Sequence, residues 1–287
     1  MTTQPRIAII GAGTMAEAII KGLLRCHLTT PDRIIASDPR LDRGLELQER
    51  YKLLSTNDNN EAVNNADIIV LSVKPQFLGR VLEGLHNKLS PEALVLSIIA
   101  GASIDMIHSG LNHSSIVRSM PNTPAQIGQG ITVWTTSPGV SEEHMEQSRQ
   151  ILAAFGEEVY VEEENYLDMA TALSGSGPAY VYLFMEAMID AGVHLGFPRR
   201  IAEELVSQTI RGSVEYYKNH AEHPAALRNE VTSPGGTSAA ALYYLEKAGI
   251  RTAISRAIWA AYERSQELGK GINGKSPERK WGENNHS

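Results

Sequence analysis

The chain has 287 residues, of which 42% are hydrophobic and 21% are charged, as in an ordinary soluble globular protein. This length allows two modest domains with buried cores. The formal net charge of −7 argues against nucleic acid or an anionic membrane as the main partner. The single cysteine, Cys26, excludes an internal disulfide and every multi-cysteine metal site, and we expect no bound metal.

The first residues lead from Met1 to Arg6 directly into a strand-like segment, so no signal peptide is predicted. No apolar run approaches the roughly 20 residues that a membrane helix needs. A single cysteine also fits a reducing compartment. These features together predict a soluble, cytoplasmic protein.

Six short apolar runs divide about the first 160 residues, and helical patterns lie between several of them. The runs are nearly continuous in hydrophobicity rather than alternating, which is typical of parallel strands covered on both faces. A helix is predicted over 15–24, and another over 141–155 where Ser141 provides a polar start. Strands separated by helices predict an α/β domain with a doubly wound, mostly parallel sheet. The six runs are 6–10, 34–36, 67–73, 93–98, 116–120 and 131–135.

The character of the sequence changes after Glu162–Asn165, because no convincing strand pattern occurs from residue 166 to residue 271. Helices are predicted instead at 178–195, 198–219, 237–248 and 250–268. We therefore predict three parts. They are a dinucleotide-binding α/β domain over 1–164, an all-α substrate-binding and dimerisation domain over 165–271, and a disordered tail over 272–287.

The dinucleotide prediction depends on a glycine-rich turn after the first strand, where Gly11, Gly13 and Ala16 form the pattern G-x-G-x-x-A. The first glycine permits a tight turn, the second lets a pyrophosphate approach the backbone, and the small third residue allows close helix packing. The phosphates would lie on the helix N terminus. The position at the first β–α turn favours a Rossmann-type dinucleotide site over a merely tight turn.

The end of the second strand carries conflicting signals for the kind of dinucleotide. Asp38 lies roughly 20 residues beyond Ala16, where an acidic residue favours the free 2′-hydroxyl of NAD. Ser37 and Arg40 can instead receive the 2′-phosphate of NADP. We expect NADP(H) to be preferred, with NAD(H) as an alternative, and a solvated Arg40 without a ligand is an equally simple interpretation.

Three more loops follow strands, at Ser72–Pro75, Ile99–Gly101 and Met120–Pro124. Ligands bind outside the carboxyl ends of the strands in such sheets. Lys74 is therefore a candidate to face the cofactor, although Pro75 could simply end its strand.

The helical part lacks the general base that hydroxyacid dehydrogenases need. In the 3-hydroxyacid and 6-phosphogluconate dehydrogenases a lysine follows a glycine pair as G-x-G-x-x-x-K, and here Val181 stands at the lysine position. His194, His220 and His223 lie near helix ends or turns, where a solvated or capping role is the simpler interpretation. A protonated imine would need no strong acid or base, because it is already electrophilic and needs only hydrogen bonds that orient it.

The turn Ser233–Ser238 is the densest cluster of hydroxyls and free amides in the helical part. Gly235 and Gly236 allow a ligand to approach the backbone closely, and the helix macrodipole favours an anion at this end. Thr237 or Ser238 would also be an adequate N-cap, so helix capping alone is the alternative interpretation.

Five motifs in chain order resemble the pyrroline-5-carboxylate reductases, and the resemblance runs from about residue 6 to residue 268. It implies NAD(P)H-dependent reduction of 1-pyrroline-5-carboxylate to L-proline, the last step of proline biosynthesis. It also implies helical domains interlocked as homodimers, which in some members assemble into decamers. The motifs are Gly11–Ala18, Val73–Pro75, Pro121–Pro124, Ser174–Ala179 and Ser233–Thr237.

The resemblance further implies roles for individual residues. The Ser233–Ser238 turn would hold the substrate carboxylate, and the catalytic group would be the hydroxyl of Ser238, a threonine in many members, near the ring nitrogen. Asn59, in the segment 57–61 after the third strand, matches a family asparagine on the cofactor. The predicted substrate-binding residues are Ser176, Gly177, Ser233, Gly235, Gly236, Thr237 and Ser238. The predicted cofactor-binding residues are Gly11, Ala12, Gly13, Thr14, Met15, Ala16, Ser37, Asp38, Arg40, Asn59, Ser72, Val73, Lys74, Pro75, Ala100, Gly101 and Asn122.

Two other functions stay open on the sequence. One is a β-hydroxyacid dehydrogenase, which Val181 disfavours because a lysine should stand there. The other is a non-catalytic NADP-binding or scaffold protein that keeps the fold.

Overall fold

The computed structural model describes residues 4–272, which fall into two compact units. Of the described residues, the first unit contains those up to Ser176 and those from Ala261 to Ile272, and the second contains Gly177–Ala260. The boundaries predicted at 164/165 and 271/272 stay predictions. Except for Ile272, the predicted tail lies outside the described residues.

Eight strands of the first unit form one sheet in the order β3-β2-β1-β4-β5-β6-β7-β8. All neighbouring strands are parallel except the antiparallel pair β6 and β7, which confirms the predicted doubly wound, mostly parallel sheet. The strand order reverses beside β1, so the carboxyl ends of β1 and β4 form the switch point where ligands bind in such sheets. The strands are β1 Ile7–Ile10, β2 Ile34–Ser37, β3 Leu54–Thr56, β4 Ile68–Leu71, β5 Leu94–Ser97, β6 Ile116–Met120, β7 Gly130–Thr136 and β8 Gly156–Tyr160.

Helices cover both faces of this sheet. Ile7 and Ile9 of β1 belong to one core, and Ala8 and Ile10 belong to the other, because successive side chains of a strand point to opposite faces. Two buried faces explain why the strands lack an alternating pattern. The helices are α1 Thr14–Arg25, α2 Leu41–Tyr51, α3 Asn59–Val63, α4 Leu78–Leu85, α5 Ile104–Leu111 and α6 Glu142–Ala153.

The six apolar runs correspond to β1, β2 and β4–β7, whereas β3 and β8 are not among them. Both missed strands lie at an edge of the sheet. Neither has a buried residue, so neither needs a continuous apolar run. The N-cap predicted for α6 is confirmed, since the hydroxyl of Ser141 accepts a hydrogen bond from the N–H of His144.

The described residues from 166 to 272 contain no strand, as predicted. The four predicted helices are present, and two short helices, α7 and α10, were not predicted. One turn of π-helix, Thr171–Gly175, separates α7 from α8. The helices are α7 Tyr166–Ala170, α8 Gly177–His194, α9 Arg199–Lys218, α10 Pro224–Glu230, α11 Thr237–Lys247 and α12 Ile250–Ile272.

The last part of α12 packs within the first unit. The hydroxyl of Ser265 donates to the Asp168 carboxylate at 2.8 Å, and the buried guanidinium of Arg118 reaches the same carboxylate at 3.4 Å. A β-carbon on Gly101, whose φ is +75°, would lie 2.9 Å from the backbone nitrogen of Gly269. The loop after β5 therefore needs glycine at position 101, where α12 crosses it.

The second unit buries few of its own side chains. Ala202 and Val206 of α9 are buried, whereas α8 and α11 have no buried residue. Leu195 is 81% exposed and Tyr244 is 70% exposed. Extensive exposed apolar surface of this kind marks an interaction surface. None of the described helices is long and apolar enough to cross a membrane.

Candidate functional site

A cleft of about 550 Å³ opens at the switch point of the sheet, a volume in the range of small-molecule sites. Many of the predicted cofactor-binding residues meet there although they come from separate loops. Those lining the cleft are Gly11, Gly13, Ser37, Asp38, Arg40, Asn59, Ser72, Val73 and Lys74. The sequence did not single out Pro39, Asn57, Phe77, Arg80 and Val81, which also line it. The predicted residues that do not line it are Ala12, Thr14, Met15, Ala16, Pro75, Ala100, Gly101 and Asn122.

The two glycines of the β1–α1 turn are required for different reasons. Gly11 has φ +93°, and a β-carbon there would lie 2.8 Å from both the Ser72 carbonyl oxygen and the Val73 side chain. The fold itself therefore demands glycine at position 11. Gly13 has φ −72°, and no atom lies within 4 Å of the place where its β-carbon would be. That open space is what a phosphate needs in order to reach the turn.

The N terminus of α1 faces this turn without a side-chain cap, because Gly13 is the N-cap residue. The backbone N–H groups of the first helical turn can therefore bind an anion, aided by the helix macrodipole. Ala16 is fully buried and packs the start of the helix into the core. The pattern G-x-G-x-x-A thus has the geometry that its sequence predicts, and it fits the pyrophosphate of a dinucleotide.

Two side chains hold the middle residue of the turn. The N–H of Ala12 donates to Oδ2 of Asp38 at 3.0 Å, and its carbonyl accepts from Nε of Arg43 at 2.8 Å. Arg43 is itself paired with Glu17 at 2.6 Å. Both backbone polar groups of Ala12 are therefore bonded to side chains of the protein. The sequence did not identify Arg43, because a charge on a helix is usually only solvated.

Glu17 is the centre of the ion-pair network that supports Arg43. Its carboxylate also accepts hydrogen bonds from Arg50 and from the hydroxyl of Tyr51, both at 2.6 Å. Burial raises the pKa of Glu17, but the hydrogen bonds from Arg43, Tyr51 and Arg50 outweigh it and lower the pKa from 4.5 to about 2. The carboxylate is therefore charged at neutral and mildly acidic pH.

This network predicts an acid-dependent loss of stability. Because the pKa of Glu17 is lower in the folded state than in the unfolded state, its stabilisation is present above about pH 4.5 and is lost as the pH falls toward 2. Between about pH 6 and about pH 3 the wild type should lose about 2 kcal/mol more free energy of unfolding than Glu17→Gln. Denaturant titrations at both pH values measure this difference. The more exposed Glu46→Gln is the control, and an equal difference for that variant would contradict the assignment to Glu17.

Asp38 does not present a free carboxylate to the cleft. Besides the N–H of Ala12, it accepts the N–H of Arg40 at 3.0 Å and the Nε of the same residue at 3.0 Å. Burial raises the pKa of Asp38, but the hydrogen bonds from Arg40 and Ala12 outweigh it, and the net result lies below the usual pKa of aspartate. A paired acid is a weaker acceptor for the ribose 2′-hydroxyl than the sequence pattern implied.

Ser37 and Asn59 form a second pair at the edge of the cleft. The buried hydroxyl of Ser37 donates to Oδ1 of Asn59 at 2.7 Å, so the proton of this hydroxyl is already engaged. Because Asn59 lines the cleft and its amide oxygen is fixed by Ser37, the pair can orient the amide toward a ligand. Their contact with a cofactor stays a prediction.

Asn122 and Gly101 are engaged in contacts within the protein. The Asn122 amide donates to the Ser174 carbonyl at 3.2 Å and accepts the N–H of Ile131 at 3.0 Å. It therefore ties the loop after β6 to β7 and to the π-helical turn. Gly101 packs on α12 as described above. These contacts explain both residues without a ligand, and their predicted cofactor contacts stay predictions.

The Ser233–Ser238 segment consists of a type II turn, Ser233–Gly236, and the first two residues of α11. The N–H of Gly236 donates to the Ser233 carbonyl at 3.0 Å, Pro234 occupies the second position, and Gly235 has φ +73°. A β-carbon on Gly236 would lie 2.6 Å from Oγ of Ser233. The positive φ favours glycine at position 235, whereas at position 236 the Ser233 hydroxyl would have to rotate away from a new side chain.

The alternative interpretation, in which Thr237 or Ser238 caps α11, is not confirmed. Gly236 is the N-cap residue, Thr237 and Ser238 are the first two residues of the helix, and no side chain caps it. The hydroxyls are displaced from the capping position because the type II turn ends one residue earlier. The N–H groups of the first helical turn are therefore available for a carboxylate.

The Ser174–Ala179 motif begins in the π-helical turn. The N–H of Ser176 donates to the Thr171 carbonyl at 2.8 Å, which closes this turn, and α8 starts at Gly177. A β-carbon on Gly175 would lie 2.7 Å from the methyl carbon of Met120. Single π-helical turns occur often at functional sites. No pattern in the sequence indicated this turn.

Val181 lies exposed on α8, so the lysine of the hydroxyacid dehydrogenases has no counterpart at this position. The capping interpretation is confirmed for two histidines. His223 accepts the N–H of Ala225 at the start of α10, and the ring of His220 contacts the Tyr216 carbonyl at the end of α9. His194 is the last residue of α8.

The fold and the cleft define a dinucleotide-dependent oxidoreductase. A family model described as NADP oxidoreductase, coenzyme F420-dependent, matches residues 6–101, and one described as pyrroline-5-carboxylate reductase dimerisation matches residues 164–268. The pyrroline-5-carboxylate reductase of Synechocystis sp. is 44% identical over 92% of this chain and 98% of its own. The chain belongs to the pyrroline-5-carboxylate reductase family.

Other relatives agree with this assignment. The pyrroline-5-carboxylate reductase of Pseudomonas aeruginosa is 40% identical over 93% of this chain and 97% of its own. The crystal structure of Plasmodium falciparum pyrroline carboxylate reductase with NADP bound has a TM-score of 0.85 and 33% identity. It covers 93% of this chain and 99% of that one. These relatives match the chain across both its α/β part and its helical part. The match to the dimerisation model supports an oligomer.

Proposed function

We propose that this protein reduces 1-pyrroline-5-carboxylate to L-proline with NADPH, with NADH as an alternative, in the last step of proline biosynthesis. The Ser233–Ser238 turn carries the proposal beyond family membership. It places the uncapped N terminus of α11 beside hydroxyls, which suits a small anion with a hydrogen-bonding ring. The substrate has both features, a carboxylate and a ring nitrogen.

The cofactor suits the residues of the first unit. Gly13 leaves open the space that a pyrophosphate would occupy, and the first turn of α1 offers uncapped N–H groups to it. Arg43 and Asp38 hold the turn in place through Ala12. When bound, NADPH supplies a hydride.

The second unit would bind and orient the imine. The N–H groups at the start of α11 hold its carboxylate, and the Ser238 hydroxyl hydrogen-bonds the ring nitrogen. The imine carbon accepts the hydride, and its C=N π electrons move to the nitrogen, so a protonated imine becomes a neutral amine. No side chain has to take or give a proton in that step, which agrees with Val181 at the lysine position.

One assay separates this function from the two alternatives. We expect NADPH oxidation with pyrroline-5-carboxylate and no reduction of NADP⁺ with a panel of 3-hydroxyacids. Turnover of a hydroxyacid would identify a β-hydroxyacid dehydrogenase. Binding of NADPH without any turnover of the imine would identify a non-catalytic protein and refute the proposal.

We further propose that the second unit forms a homodimer, which can assemble into a decamer. The support is its exposed apolar surface, to which Leu195, Val231 and Tyr244 each contribute with at least 70% exposure. Sedimentation velocity should give twice the monomer mass of 31.3 kDa or an even multiple of it. A monomer at micromolar concentration would contradict this proposal. We also propose that the protein is cytoplasmic, which cell fractionation can test.

A further inference from the structure

The α4 side of the cofactor cleft carries a cation that the sequence patterns do not identify. Arg80 lies in the first turn of α4, is exposed and lines the cleft. Phe77, three residues earlier, lines it too and is 49% exposed. Residues three apart on a helical turn share a face. A planar group that stacks on Phe77 would therefore have the guanidinium of Arg80 near its edge.

The charges around the cleft favour an anionic ligand. Arg40, Lys74 and Arg80 line it, and Asp38 is the lining carboxylate, in a chain whose net charge is −7. Among the residues that the structure describes, neither Lys74 nor Arg80 has an ion pair. Opposite charge concentrated in a cleft raises the local concentration of a charged ligand.

Ser37 and Arg40, which the sequence predicted to bind the 2′-phosphate, already make side-chain hydrogen bonds within the protein. Arg40 binds the Asp38 carboxylate through Nε at 3.0 Å and through its terminal nitrogen at 3.3 Å. The hydroxyl of Ser37 donates to Asn59. The charge of Arg40 is therefore already balanced by Asp38, although its remaining N–H groups stay free, and a phosphate would have to displace Asn59 to receive the Ser37 hydroxyl. Among the described residues, Arg80 has no ion pair that balances its charge.

Lys74 and Arg80 lie next to different parts of the cleft and would contact different parts of the dinucleotide. Lys74 follows Val73, which packs against Gly11, so the backbone of Lys74 lies next to the β1–α1 turn that would hold the pyrophosphate. Arg80 lies beyond Phe77 along the chain, and the exposed ring of Phe77 suits an adenine. In NADP the 2′-phosphate is attached to the ribose next to the adenine.

We infer that Arg80 binds the 2′-phosphate of NADP(H) and sets the preference for NADP(H) over NAD(H), with Phe77 stacking on the adenine. The inference rests on the proposed function only in assuming that the cleft holds a nicotinamide dinucleotide. A guanidinium is well suited to this contact because its planar N–H groups match two phosphate oxygens.

The test is the binding of four nucleotides to the purified full-length protein and to Arg80→Met. Fluorescence titration gives Kd for NADPH and NADH, and calorimetry gives Kd for 2′,5′-ADP and 5′-AMP. We expect Arg80→Met to weaken NADPH and 2′,5′-ADP by about tenfold or more and to change NADH and 5′-AMP by less than about twofold. Arg80→Lys should lose only part of the affinity for NADPH.

Two further variants make the result specific. Lys88→Met removes an exposed cation shortly after α4 that does not line the cleft, and it should change none of the four affinities. Phe77→Ala should weaken NADPH and NADH alike. Equal weakening of NADPH and NADH by Arg80→Met, or no weakening of NADPH, would overturn the inference.

The experiments distinguish a failure of the proposed reaction from a failure of the proposed role of Arg80. A wild type that binds NADPH but does not reduce pyrroline-5-carboxylate would refute the reaction and leave the Arg80 measurements valid. A wild type that reduces the imine while Arg80→Met keeps full affinity for NADPH would refute only the role of Arg80.

Discussion

Replacing Gly13 with serine is expected to raise the Kd for NADPH at least about tenfold without lowering the stability of the protein. Serine is a favoured N-cap residue, and no atom lies within 4 Å of the place where its β-carbon would be. The fold therefore accepts the change. The new side chain would, however, occupy the phosphate approach and satisfy the N–H groups of α1 that the phosphate would bind. Fluorescence titration with NADPH and thermal unfolding measure the two effects.

Gly11→Ala is the matched comparison, because it adds a side chain to the same turn where the fold leaves no room. Its φ of +93° and the 2.8 Å approach to Ser72 and Val73 should lower the free energy of unfolding by about 1–3 kcal/mol. Position 11 is thus expected to affect stability first, and position 13 ligand binding first. Unchanged NADPH affinity in Gly13→Ser would mean that the phosphates do not use this turn.

Replacing Ser238 with alanine is expected to lower kcat/KM for pyrroline-5-carboxylate by about 100-fold. The hydroxyl would orient the ring nitrogen during hydride transfer, and alanine cannot make that hydrogen bond. The Kd for NADPH should stay nearly constant, because every residue lining the cofactor cleft belongs to the first unit. Steady-state kinetics and NADPH titration on the same preparation check both statements.

Ser238→Thr is the conservative control, because it keeps the hydroxyl and should retain most of the activity. Helix α11 should persist in both variants, since its N-cap is Gly236 and not Ser238. A main effect of Ser238→Ala on NADPH binding would show that the turn has been assigned to the wrong ligand.

Much of the fold is predictable from local sequence patterns. The apolar runs locate six strands, and the helical periodicity locates four helices of the second half within a few residues. The patterns miss β3 and β8, because edge strands bury few residues and carry no continuous apolar run. They also miss the antiparallel pairing of β6 with β7, since strand direction depends on how the connection crosses the sheet.

The candidate site is only partly predictable, because its hydrogen bonds depend on contacts between loops. Residue types at strand ends indicate which loops approach a ligand, and residues from several of these loops meet in one cleft. The sequence does not tell which of their polar groups are already bonded. In the sequence, Asp38 favours NAD and Arg40 favours NADP. In the structure the two side chains form an ion pair with each other.

The amino-acid sequence alone indicated the doubly wound α/β fold, the glycine-rich turn after β1, the hydroxyl-rich turn at the start of α11 and the resemblance to the reductase family. These are local features, because turn geometry and periodicity depend on neighbours along the chain. Only the tertiary structure decided which groups remain free to bind a ligand. It pairs Asp38 with Ala12 and Arg40, and it places Arg80 at the same cleft without a partner among the described residues. The Asp38–Ala12 bond and the approach of Arg80 to the cleft join segments that are distant in sequence, and the crossovers of the sheet bring them together.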